Sequence, residues 1–243
     1  MTQERTRVAV VTGAAGGVGG RLVRSLAAQG WKVFAVVRKS EQADELNAIE
    51  GVDARTLDLL DSASLTAWAR DLVEHDAPAV DLVAHVAAVA PVGPASQSDA
   101  QTWERTLKTN VEAPALLNAG LLPAVRQAQG TIVFVNSGAG ERAVVNHAVY
   151  AASKHALRGY ANTLRIEESP NRIRVSTVYP GQINTKMLRG IDETLDVEFK
   201  PEDYIDPQTV ADTIIWIANA PADAHLTNVD LRPRQEVSAK FNV

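Results

Sequence analysis

The chain has 243 residues, 46% of them apolar and 22% charged, with a net charge of -5 at pH 7 and no cysteine. That balance excludes a disordered chain and is enough to fill a sizeable core. The absence of thiols excludes disulfides, thiolate catalysis and cysteine-based zinc sites, and an acidic chain without a basic block argues against a nucleic-acid partner. Residues 1–7 are polar, and the apolar run after them is shorter than the roughly 7–15 residues of a secretory signal or the roughly 20 of a membrane helix. The expected location is therefore cytoplasmic, with no membrane partner. No metal-ligand spacing joins the five histidines.

In chain order, short β-branched runs alternate with longer segments of helical period. The runs predict strands at 8–12, 32–37, 53–57, 81–86, 131–136, 174–179 and 228–231. Helices are predicted between them at 17–29, 41–49, 62–74, 99–112, 114–127, 147–168 and 207–219. Nearly continuous apolar strands suit a parallel sheet buried on both faces. Their alternation with helices implies right-handed βαβ units, hence an α/β fold. No linker or repeat divides the chain, so one domain over residues 1–243 is expected. The segments 88–98 and 186–206 are the least regular, and both follow a strand at the sheet's carboxyl edge, where ligands bind in such folds.

Five of the 15 glycines (Gly13, Gly16, Gly17, Gly19 and Gly20) fall within eight residues, directly after the first predicted strand. In Thr12-Gly13-Ala14-Ala15-Gly16-Gly17-Val18-Gly19 the chain must turn sharply, approach a pyrophosphate with its backbone and pack a helix closely on the sheet. Residues without a Cβ do this at least cost. The helix N-terminus then favours the phosphates. A tight strand–helix turn that binds nothing is the competing reading. The second strand ends in Val36-Val37-Arg38-Lys39, with no carboxylate before Glu41. Two cations there suit a 2′-phosphate and favour NADP(H), unless Arg38 and Lys39 form an ordinary solvated turn. Asp58, after the third strand, is placed to bond an adenine amino group or to cap a helix.

Tyr150 and Lys154, four apart at the start of a predicted helix, share one face. A phenol with its ordinary pKa of about 10 is a poor proton shuttle near neutrality, and a nearby ammonium lowers that value. Ser137 directly follows the fifth strand, where its hydroxyl can donate to a substrate oxygen.

Together with Asn110 and Pro180-Gly181-x-Ile183-x-Thr185, these motifs resemble the short-chain dehydrogenase/reductase family, in its short one-domain branch, over essentially the whole chain. The resemblance implies a Rossmann-like, doubly wound, seven-stranded parallel sheet with helices on both faces. It implies an NADP-dependent enzyme that interconverts a carbonyl and a secondary alcohol. Tyr150 is then the general acid/base, and Lys154 lowers its pKa and holds the nicotinamide ribose. Ser137 polarises the carbonyl, and Asn110 keeps a relay water. Gly13, Ala15, Gly17, Val18, Gly19, Leu59, Ala87, Pro180 and Gly181 join the cofactor contacts, while Ile183 and Thr185 fix the carboxamide. The family usually has Asn-Asn-Ala-Gly after its fourth strand. Here His85-Val86-Ala87-Ala88 stands in its place, and a local adjustment is expected.

His85 reads as a satisfied core histidine. His147 is placed either to line a substrate pocket or to lie on the surface. Glu141 and Arg142 are placed to meet a polar substrate or to pair in solvent, and Glu167 and Glu168 read as plain surface. The apolar spacing of Leu157, Tyr160, Ala161 and Leu164 reads as core, and the resemblance implies a homodimer or homotetramer. Residues 186–206 are expected to form a lid over a small-molecule carbonyl or alcohol substrate. The alternative is a regulator that senses NADP on the same fold without turnover.

Overall fold

The computed structural model describes residues 5–235 and Val237, so the first four residues of the polar start lie outside the described residues. Seven strands form one sheet: β1 (Val8–Thr12), β2 (Lys32–Val37), β3 (Val52–Thr56), β4 (Leu82–His85), β5 (Thr131–Val135), β6 (Arg174–Pro180) and β7 (Asn228–Leu231). Every pairing is parallel, and the order is β3-β2-β1-β4-β5-β6-β7. The chain winds outward in one direction from β1 to β3 and in the other from β4 to β7. A crevice therefore opens beyond the carboxyl ends of β1 and β4, where the two halves part. This is the doubly wound, Rossmann-type α/β fold expected from the sequence.

The helices are α1 (Gly17–Ala28), α2 (Ser40–Asn47), α3 (Ser62–Asp71), α4 (Ala100–Leu107), α5 (Ala113–Ala128), α6 (Ala148–Glu167), α7 (Lys186–Thr194) and α8 (Pro207–Ala218). Because strand side chains alternate, Ala9 and Val11 pack on the face covered by α1, α2 and α8, while Val8 and Val10 pack under α3, α5 and α6. Leu22 and Leu26 of α1 and Leu117 and Leu121 of α5 are fully buried. Each contributes about 1.5–3 kcal/mol by leaving water. Gly120 lets α5 approach α3 closely, since a Cβ there would stand 2.5 Å from the Ala69 Cβ.

Several details differ from the sequence expectation. The helices predicted at 99–112 and 114–127 are continuous through a π-helical turn, Lys108–Glu112, and a second such turn, Leu72–Asp76, extends α3. Asn136 falls just past β5: its N–H still donates to the Val178 carbonyl of β6 at 2.8 Å, while its side chain donates to the Lys154 carbonyl at 3.1 Å and accepts from the Ser137 N–H at 2.9 Å. The segment 186–206 is not wholly irregular: Thr185 caps α7 by accepting from the Leu188 N–H at 3.3 Å. Glu168 is not plain surface either. It is 4% exposed, held by two bonds from Arg126 and one from Asn171, which keeps its carboxyl below the usual range. Glu167 is exposed, as read. Among the described residues no helix is long and apolar enough to cross a membrane.

Leu121→Ala should leave a cavity between α5 and the sheet. The expected loss is about 2–5 kcal/mol in urea unfolding; a loss under 1 kcal/mol would show that this layer is not the close-packed core described here.

Candidate active site

A cleft of about 1410 Å³ runs across the carboxyl edge of the sheet, from the end of β2 to the loops after β5 and β6. The glycine turn forms its floor. Gly13 has φ +64°, and a Cβ there would come within 2.8 Å of the Ala87 backbone. A Cβ on Gly19 would run into the Gly13 carbonyl. These positions must be glycine for β1, α1 and the loop after β4 to meet. No side chain caps α1 at Gly16, so its first-turn N–H groups and dipole are available to phosphate oxygens. Ala15, Gly17 and Val18 line the same floor.

At the β2 end the cleft is bounded by Arg38, Asp58 and Leu59. Lys39 does not line it. Lys39 instead starts α2, where its N–H donates to Gln42 Oε1 at 3.3 Å. Arg21 and Arg24 of α1 line the cleft as well, and the sequence reading missed them. Their spacing of three on a helix that begins at the phosphate turn was the available signal. Asp58 accepts from the Leu60 N–H at 2.9 Å, and α3 is capped by Asp61 instead.

The other end gathers Ser137, Tyr150 and Lys154. Ser137 opens a single turn after β5 and its Oγ accepts from the Ala139 N–H at 3.2 Å. Tyr150 and Lys154 share one face of α6, with the Lys154 Nζ 5.7 Å from the phenol ring centre. Lys154 is 1% exposed and donates to the Val135 carbonyl at 2.8 Å. Burial pulls its pKa down to about 7. The phenol differs from expectation. Burial holds its pKa above the ordinary value, and the opposing pull comes from a hydrogen bond with Ser137 rather than from Lys154. An ammonium that spends a proton on a main-chain carbonyl and is itself half neutralised near pH 7 does little for a neighbouring phenolate.

Asn110 is buried but does not line the cleft. Its side chain accepts from the Val89 N–H and donates to the Val89 carbonyl and to Ser153 Oγ, each at 2.9 Å. Ser153 donates in turn to the Tyr150 carbonyl at 2.7 Å. Asn110 therefore ties the loop after β4 to the first turns of α6, and both N–H groups of its side chain are engaged in doing so.

His147, which starts α6, lines the cleft, and its ring centre lies 6.3 Å from that of Tyr150 with the planes at 62°. This favours the pocket position over the surface one. Pro180, Gly181, Ile183 and Thr185 line the wall opposite. The Gly181 N–H is fixed to the Leu231 carbonyl at 2.7 Å, and the Thr185 hydroxyl serves α7 as its cap.

After β4 the chain adjusts without strain. Thr12 Oγ1 accepts from the N–H groups of Val86 and Ala87 at 3.2 and 3.3 Å, and neither Ala87 nor Ala88 has positive φ. His85 is a core histidine, 2% exposed and stacked on Phe134. Its Nε2 meets Asn118 Oδ1 at 2.8 Å, a partner 33 residues away. Burial lowers its pKa to about 4, so it stays neutral.

A nucleotide-sized cleft at the switch point of a doubly wound sheet, with a glycine floor and a Ser-Tyr-Lys group at one end, defines a dinucleotide-dependent class of protein. The comparisons narrow that class. The sequence profile of the short chain dehydrogenases matches residues 7–196. The chain is 36% identical over 206 residues to Dehydrogenase/reductase SDR family member 2, mitochondrial, of Homo sapiens, covering 80% of this chain and 72% of that protein. It is 27% identical over 241 residues to Serine 3-dehydrogenase of Agrobacterium fabrum, covering 96% of each. A metagenomic short-chain oxidoreductase solved in complex with NADP superposes with a TM-score of 0.79 at 27% identity, covering 95% of this chain and 98% of that one. The protein belongs to the short-chain dehydrogenase/reductase family of oxidoreductases.

The buried lysine has a consequence for stability. Its pKa falls from 10.5 in the unfolded chain to about 7 in the fold, so the unfolded chain binds the extra proton between those values. The cost to folding is full below pH 7 and vanishes as pH rises toward 10.5. Lys154→Met should therefore raise stability most near pH 6.5, with the gain shrinking by pH 9.5. Denaturant unfolding at both pH values checks this; an identical difference at both would contradict it.

Proposed function

We propose that the protein is an NADP(H)-dependent oxidoreductase that interconverts a carbonyl and a secondary alcohol, with Tyr150 as general acid/base. One observation carries this reading: Ser137, Tyr150 and Lys154 line the same cleft as the glycine turn. The cleft fits a nicotinamide dinucleotide. Its floor is kept free of side chains, the first turn of α1 offers unspent donors, and Lys154 is a buried amine with no carboxylate partner among the described residues. Arg38, with Arg21 and Arg24 lining the same cleft, supports a 2′-phosphate and hence NADP(H) over NAD(H).

The cofactor, when bound, supplies or accepts the hydride. The remaining work belongs to the chain. Ser137 donates to the substrate oxygen and holds the carbonyl against Tyr150. Tyr150 gives its proton to the oxygen as negative charge develops, or takes it back in the oxidation direction. Lys154 regains full charge when acceptors such as ribose hydroxyls reach its Nζ, and a charged Lys154 pulls the phenol down from its raised value. Asn110 acts as a positioning residue through Val89 and Ser153, with its main chain available to a relay water. Pro180, Gly181, Ile183 and Thr185 shape the wall against the nicotinamide, and α7 with the rest of 186–206 acts as a lid. Exposed Trp103, Leu107 and Ile166 on α4 and α6 support a homodimer or homotetramer.

Tyr150→Phe is expected to abolish NADPH consumption across a panel of ketones and aldehydes while NADPH affinity stays within a few-fold. Turnover near the wild-type rate would overturn the assignment. NADPH binding by the wild-type protein without consumption across the panel would favour the sensor. Arg38→Asp should weaken NADPH by about tenfold or more and NADH far less, measured by fluorescence titration; equal losses would return Arg38 to the solvated-turn reading.

A further inference from the structure

The substrate end of the cleft carries cations that no acid in its lining matches. Arg105, Arg142, Lys186, Arg189 and Arg232 line the cleft, and Arg142 and Arg232 lie next to Ser137 at Gly138, whereas the carboxylate in the lining, Asp58, follows β3 at the β2 end. Two of these cations converge. A side-chain carbon built on Gly138 would stand 2.8 Å from Arg232 Nη1 and 3.6 Å from Arg142 Nη2. The two guanidinium groups thus reach the same small space, one from the loop before α6 and the other from the residue after β7. Gly138 directly follows Ser137, and adjacent Cα atoms are about 3.8 Å apart. The paired cations therefore lie against the residue that follows Ser137 in the chain.

The nearby acids do not fill that space. Asp230 meets Arg232 at 3.0 Å but is more than half exposed and does not line the cleft. Glu141, next to Arg142 in the chain, faces Arg158 at 4.0 Å. Arg142 has no acidic partner among the described residues. Like charges drawn together repel unless an anion lies between them, and guanidinium forks match the two oxygens of a carboxylate.

We propose that Arg142 and Arg232 bind a carboxylate of the substrate, so that the protein reduces a short keto acid, or oxidises the matching hydroxy acid. This rests on the reading of Ser137 and Tyr150 as the carbonyl-binding pair. The spacing selects the ligand. An anion at Gly138 is only a few bonds from a carbonyl at Ser137, which suits an acid on a short carbon chain rather than a phosphate at the far end of a large carrier. The arginine pair is a specificity device: it orients the carbonyl by holding the other end of the molecule.

The test compares acids with their uncharged esters: pyruvate, acetoacetate and levulinate against the three methyl esters, each with NADPH. In at least one pair kcat/KM should favour the acid by about tenfold or more, chiefly through KM. In Arg142→Gln and in Arg232→Gln, made separately, that ratio should fall by at least about fivefold. Adding 0.5 M NaCl should also shrink it. Ratios at or below one for all three pairs, or a ratio that neither variant changes, would overturn the proposal. Calorimetric titration of the acids into NADP+-loaded protein reads the site without turnover. Arginine-dependent binding there with no reduction of any carbonyl would keep the carboxylate site and sink the oxidoreductase reading. Reduction of esters and acids alike would do the reverse.

Discussion

A lysine ammonium buried under a phenol, with a main-chain carbonyl as its hydrogen-bond partner, is the constraint around which this cleft is built. Desolvation disfavours the charged form, and no carboxylate is supplied to restore it. The fold tolerates this because Lys154 is held from both sides. Its ammonium is tied to Val135 at the end of β5, and its carbonyl accepts from Asn136 one residue later. A helix, a strand end and a buried cation are thereby fixed to one another, and Tyr150 is carried on the same helix turn.

The rest of the cleft supports that arrangement from outside. Asn110 couples the loop after β4 to the first turns of α6, so the π-helical turn that carries it is a strut and not a defect. Thr12 fastens the same loop to β1, and Gly13 lets the two backbones meet. Both ends of the cleft are cationic, one through Arg21, Arg24 and Arg38 and the other through Arg142 and Arg232. The chain as a whole is acidic. Its positive charge is therefore concentrated where ligand anions belong, which favours their capture.

The parts legible in the sequence were those written in local pattern. Short β-branched runs, several of them nearly continuously apolar, revealed the strands, and glycine spacing and the Tyr150–Lys154 interval located the cleft. What escaped was written in distant positions. His85 finds Asn118 only because β4 and α5 pack together, and Glu168 is buried only because Arg126 lies beside it. Arg142 and Arg232 meet because the loop after β5 and the end of β7 reach the same edge of the sheet. The helix α7 was hidden by its charges and by Gly190, since only a narrow strip of it is buried. Local pattern also misjudged Lys154, whose charge depends on burial and not on its distance from Tyr150. The phenol's pKa is likewise raised by its own burial.

The most direct measurement is a pH titration of the Lys154 side chain by NMR, using lysine labelled at the ε-carbon and Lys154→Met to assign the signal. A midpoint near 7 in the free protein, moving upward when NADP+ is added, is the result expected of a buried ammonium awaiting acceptors. A midpoint near the ordinary 10.5, unmoved by the nucleotide, would contradict it.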